Sequence, residues 1–93
     1  LKMFKIRVMI SGDVQDVWFS VSSQDKANEL GLSGYVKNLF TNALEIVAEG
    51  NRDDLAVFSA WLHEGPPNAT IEKISIEWEE LSQRQFSIFE IQK

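Results

Sequence analysis

Gly12-Asp13-Val14-Gln15-Asp16-Val17-Trp18-Phe19-Ser20 separates a segment of alternating apolar residues from a segment of helical character. A tight turn of this kind lines up successive backbone N–H groups, and the N-terminus of a following helix adds its own. Such a concavity can bind an anion. Three serines follow at Ser20, Ser22 and Ser23. A serine nucleophile needs an adjacent base, and no histidine is near in sequence. The serines therefore read as a helix-capping cluster, whose hydroxyls accept from free N–H groups. His63 is the single histidine. It falls near a helix C-terminus, where a partly cationic imidazole is favourable. Asn38 carries a side-chain amide that both donates to and accepts from water. Taken alone, it reads as a turn residue at a strand end. Trp18 lies inside the turn, and two roles stay open for it: stacking on a ligand or packing against a helix.

The elements that must position these residues follow from periodicity. Phe4, Ile6, Val8 and Ile10 alternate with Lys5, Arg7 and Met9, the pattern of a strand with one buried face. Gly12 breaks it. Residues 21–30 read as a helix through Ala27 and Leu30, with Gly31 as its stop, on a thin apolar stripe. Residues 34–39 and 43–49 read as short strands. Thr41-Asn42 between them makes a hairpin, because Asn tolerates positive φ. Asp53 and Asp54 favour the start of a second helix. Leu55, Phe58, Trp61 and Leu62 give it one apolar face, and Gly65-Pro66-Pro67 ends it. Ile74, Ile76 and Trp78 alternate in a fourth strand, and residues 86–91 supply a short fifth. The order β-α-β-β-α-β plus a final strand predicts an α+β, ferredoxin-like sandwich. Both helices would pack on one face of an antiparallel sheet.

Composition narrows the function classes. A chain of 93 residues makes one domain, 1–93, with a modest core. Net charge is −5. That disfavours nucleic acid, whose binding needs positive charge to displace counterions, and an anionic membrane surface. An anionic ligand must be held by local donors against this field. The chain has no cysteine, which excludes disulfides and thiolate metal sites. No run reaches membrane-spanning length, and Leu1-Lys2-Met3-Phe4 carries no leader-like apolar region. The expectation is a soluble, cytoplasmic protein, taken as a monomer. Glu77, Glu79 and Glu80 read as the solvent face of a strand. RNA recognition shares this element order, but the aromatic and basic signatures it requires are missing.

The turn resembles the phosphate-binding loop of acylphosphatases, G-x-V-Q-G-V-x-F-R. The likeness continues through Gln24, Ala27, Leu30-Gly31-Leu32 and Gly34-Tyr35-Val36-Lys37-Asn38, which is similar to the family's G-[WY]-V-x-N. It extends to Glu45, Gly50, Phe58, Trp61-Leu62 and Gly65-Pro66, nearly the whole chain. Acylphosphatases hydrolyse the carboxyl-phosphate bond of small acyl phosphates, without metal or cofactor. The resemblance implies a phosphate cradle of Gln15, Asp16, Val17, Trp18 and Phe19. It implies that Asn38 orients the attacking water. The ligand would be a small acyl phosphate or inorganic phosphate.

Two positions depart from the pattern. Ser20 stands where the family has the phosphate-gripping Arg, and Asp16 where it has Gly. Arg offers a charged planar fork matched to phosphate, whereas Ser20 offers one neutral hydroxyl. Losing one preorganised donor to a developing oxyanion costs about 10²–10³ in rate. A carboxylate about 4 Å from phosphate adds roughly 4 kcal/mol of repulsion at an effective dielectric of about 20. The candidate substitute cations, Arg7 and Lys37, read as surface charges on the sheet. Two expectations follow: weakened acyl phosphate hydrolysis or, as the alternative, a non-catalytic phosphate-binding or scaffold domain.

Overall fold

The computed structural model describes residues 2–15, 18–39 and 42–92. Its elements run β1 (Met3–Asp13), α1 (Phe19–Glu29), β2 (Ser33–Asn38), β3 (Ala43–Gly50), α2 (Arg52–Glu64), β4 (Thr70–Leu81) and β5 (Phe89–Gln92). The sheet order is β4-β1-β3-β2-β5. This is the ferredoxin-like arrangement, each helix linking two strands that have a third between them. The first four strands pair antiparallel as expected. β5 joins parallel to β2, so the complete sheet is mixed.

The alternation in β1 decides the two faces. Ile6, Val8 and Ile10 are buried with Leu44, Ile46 and Ala48 of β3 and Val36 of β2. Phe19 and Ala27 of α1, and Leu55, Phe58 and Leu62 of α2, join the same core. Both helices therefore lie on one face. α1 covers β2 and β5, and α2 covers β1 and β3. Trp61 is only half-buried. It stacks on Phe58 with ring centroids 6.3 Å apart and meets Phe19 edge-on at 6.0 Å. α2 is well terminated: Asn51 accepts from the Asp54 N–H at 2.8 Å, and Gly65 closes the other end at φ 70°.

The opposite face carries the polar partners of the strands. Arg7 donates to Glu45 at 2.6 Å, and the Tyr35 hydroxyl donates to the other Glu45 oxygen at 2.9 Å. The three residues sit on β1, β3 and β2, so Arg7 is a paired sheet-surface charge. Glu49 is on this face too, opposite Lys5 and Ser33, and is completely buried. Its carboxylate accepts from the N–H of Gln85 at 3.0 and 3.2 Å and of Phe86 at 2.9 Å. β4 and β5 occupy opposite edges of the sheet. Their connection crosses this face, and Glu49 fastens it. Phe86 packs edge-on against Tyr35 at 5.7 Å. Glu77, Glu79 and Glu80 are exposed, as expected of a solvated strand.

Candidate functional site

Gly12 opens the site. Its φ is 134°, and a Cβ there would run into the Thr70 carbonyl oxygen. Only glycine fits this backbone against β4. The β1–β4 register shifts between Ser11 and Gly12, which redirects the chain as it leaves the sheet. The Gly12 N–H donates to Asn42 O at 3.0 Å, and the Gln15 side-chain amide donates to Ala43 O at 3.0 Å. Both bonds tie the turn to the beginning of β3. Asn42 adopts φ 67° there, as its place in the hairpin requires. Thr41, Asp16 and Val17 lie outside the described residues.

α1 begins two residues earlier than the periodicity indicated, at Phe19. The anchor is Phe19 itself. It is buried beside Trp61, which a periodicity centred on Ala27 and Leu30 did not reveal. The N-cap is Trp18, in the left-handed region at φ 62°, ψ 23°, and no side chain caps this end among the described residues. The expected serine cap is thus corrected. Ser20 lies inside the first turn. Ser23 faces the core one turn later, its hydroxyl buried without a hydrogen-bond partner among the described residues. The first intrahelical bond runs from the Ser22 N–H to Trp18 O at 2.9 Å. By helix geometry, the amides of Phe19, Ser20 and Val21 have no carbonyl of their own helix to bond. They carry the positive end of the helix dipole.

Asn38 is the last residue of β2. The pairing places Lys37 opposite Glu45 and Asn38 opposite Leu44. Asn38 therefore shares the helix-side face with Val36, and Lys37 the other. The end of β2 meets the start of α1 around a recess of about 120 Å³ lined by Val14, Gln15, Trp18, Phe19, Ser20, Val21 and Asn38. Every described member of the predicted cradle, together with Ser20 and Asn38, thus borders one concavity. No lysine, arginine or histidine lines it among the described residues. Arg7 is held by Glu45 on the far face of the sheet. His63 is exposed, its Nδ1 donating to Ser59 O at 2.8 Å within α2.

A family model described as acylphosphatase matches residues 6–91. The chain belongs to the acylphosphatase family. It is 43% identical over 86 residues to an acylphosphatase of Coxiella burnetii (strain RSA 493 / Nine Mile phase I), covering 92% of this chain and 88% of that protein. The solved acylphosphatase structure from Coxiella burnetii superimposes with a TM-score of 0.85 at 41% identity, covering 98% of this chain and 94% of that one. The acylphosphatase from Bacillus subtilis gives 0.90 at 30% identity, covering 97% and 99%. Among the described residues, no group of three or more His, Asp or Glu side chains is placed to hold a metal ion. No helix among them is long and apolar enough to cross a membrane.

Proposed function

We propose that this chain binds the phosphate group of small acyl phosphates at the start of α1 and hydrolyses the carboxyl-phosphate bond slowly. The observation that carries this reading is the convergence of Ser20 and Asn38 on one recess at a helix N-terminus that no side chain caps among the described residues. In the mechanism, the first-turn amides and the Ser20 hydroxyl hold the non-bridging phosphate oxygens. Asn38 accepts a hydrogen bond from a water molecule and sets its oxygen toward phosphorus. Water oxygen bonds to phosphorus as the bond from phosphorus to the acyl oxygen breaks. The carboxylate leaves with that electron pair, and the water protons stay with the products. A carboxylate is a good leaving group, so positioning and charge stabilisation suffice.

Ser20 is the reason for the slow rate. Its hydroxyl reaches one oxygen and carries no charge, and the recess has no cation of its own among the described residues. The same feature supports the second reading, phosphate binding without turnover. Benzoyl phosphate hydrolysis by the native chain and by Ser20→Arg separates the two. We expect a gain of at least about 10²-fold in kcat/KM for the variant. Fast hydrolysis by the native chain would overturn the impaired-activity reading. Phosphate binding with neither protein turning over would favour the binding role and place the fault at Asp16 or in the loop itself.

A further inference from the structure

Among the described residues, Trp18 has no packing partner that accounts for its size. It is 76% exposed, the most exposed of the large hydrophobic side chains among the described residues. Trp61 is engaged by two phenylalanines, and Trp78 meets Phe4 edge-on. Trp18 has no ring partner among the described residues. Its backbone is also in a conformation that favours Gly, Asn or Asp, at φ 62°. A bulky residue held there, exposed, at the rim of a polar recess is a pattern tied to ligand contact.

The size of the recess adds a second argument. Its 120 Å³ is several times the roughly 10–15 Å³ that one water molecule needs on the same measure. That holds a phosphate-sized group. It is well below the 300–1,000 Å³ of a pocket that engulfs a whole drug-sized ligand. An acyl group attached to a phosphate in the recess must therefore lie outside it, across the rim. Besides Trp18, the described rim side chains are aliphatic or uncharged polar ones, with Phe19 turned into the core. Among the described residues, Trp18 is the one flat apolar surface there.

We propose that Trp18 is the platform for the acyl group, and that the chain selects acyl phosphates with a flat, apolar acyl group over those with a small one. This inference rests on the phosphate-site reading above. It assigns Trp18 a specificity role beyond the cradle membership that the family resemblance implies. An aromatic face stacked on another ring adds roughly tenfold in affinity.

The test uses inert probes, so that turnover is not required. Benzoylphosphonate, acetylphosphonate and inorganic phosphate are titrated calorimetrically into the native chain and into Ser20→Arg, each with Trp18, Trp18→Phe and Trp18→Ala. The expected result is a benzoyl-over-acetyl preference of about tenfold that Trp18→Ala removes and Trp18→Phe largely keeps. The phenylalanine variant guards against a general loss of folding. If inorganic phosphate binds but the preference is absent, or survives Trp18→Ala, the platform role is overturned and the phosphate site stands. If none of the three probes binds either background, the phosphate-site reading fails and the platform role falls with it.

Discussion

Charged and polar side chains show how position decides what a residue can do. Arg7 has the chemistry that Ser20 lacks, but a 2.6 Å pair with Glu45 commits it to the other face of the sheet. Arg7→Gln is therefore expected to leave the phosphate affinity of the native chain and of Ser20→Arg unchanged, measured by calorimetry. A tenfold loss would show that Arg7 serves the site. Tyr35 sits beside the same carboxylate. Burial, and then the hydrogen bond to Glu45, raise its phenol above the ordinary value of 10.0. A raised folded-state value favours the protonated, folded form. The stabilisation is complete below pH 10 and is lost as pH rises through the folded-state value. Urea midpoints at pH 8 and pH 11 should fall more for the native chain than for Tyr35→Phe, which has no proton to lose. Equal falls would mean that Tyr35 does not contribute to alkaline sensitivity.

At the scale of elements, α1 and the β4–β5 connection are where the sequence was least legible. The strand alternation of Ile6, Val8 and Ile10 and the apolar face of Leu55, Phe58 and Leu62 announced themselves, because each buries one side against a large core. α1 buries only Phe19, Ser23 and Ala27. Two of these are small and one is polar, so no clear stripe exists in the sequence. The Ser23 hydroxyl is buried without a partner among the described residues. Ser23→Ala removes that cost and improves helix propensity, so unfolding free energy should rise by about 1 kcal/mol. A fall in the urea midpoint would show that the hydroxyl is satisfied in solution. Glu49 was equally hidden: in sequence it is a strand-end glutamate, and only the crossing connection gives it two amides to bind. Glu49→Ala leaves those amides without their acceptor and should cost about 3 kcal/mol. Amide exchange in β5 should accelerate more than in β1, because the clasp holds the connection that delivers β5. Uniform acceleration would argue for a global loss instead.

At the scale of the whole molecule, the candidate site was legible in residue identity but not in geometry. Ser20 and Asn38 stand out as motif positions. That they share a recess depends on the pairing of β2 with β3 and on where α1 starts, both of which are long-range outcomes. Net charge, by contrast, is readable directly, and it sets a physical condition on the ligand. At −5, the protein repels a phosphate dianion over distances comparable to the Debye length, about 30 Å at 0.01 M salt and about 8 Å at 0.15 M. The first-turn amides act only at contact, where salt screens them little. Raising ionic strength should therefore remove repulsion faster than attraction, and phosphate association should speed up. A basic phosphate binder would show the opposite trend. The prediction is a two- to threefold increase in the association rate constant for inorganic phosphate between about 0.01 and 0.15 M sodium acetate at constant pH. Relaxation kinetics on Ser20→Arg, whose net charge would be −4 rather than −5, should show a shallower slope of the same sign. A rate that falls with salt would mean that a local positive field at the loop outweighs the charge of the molecule as a whole.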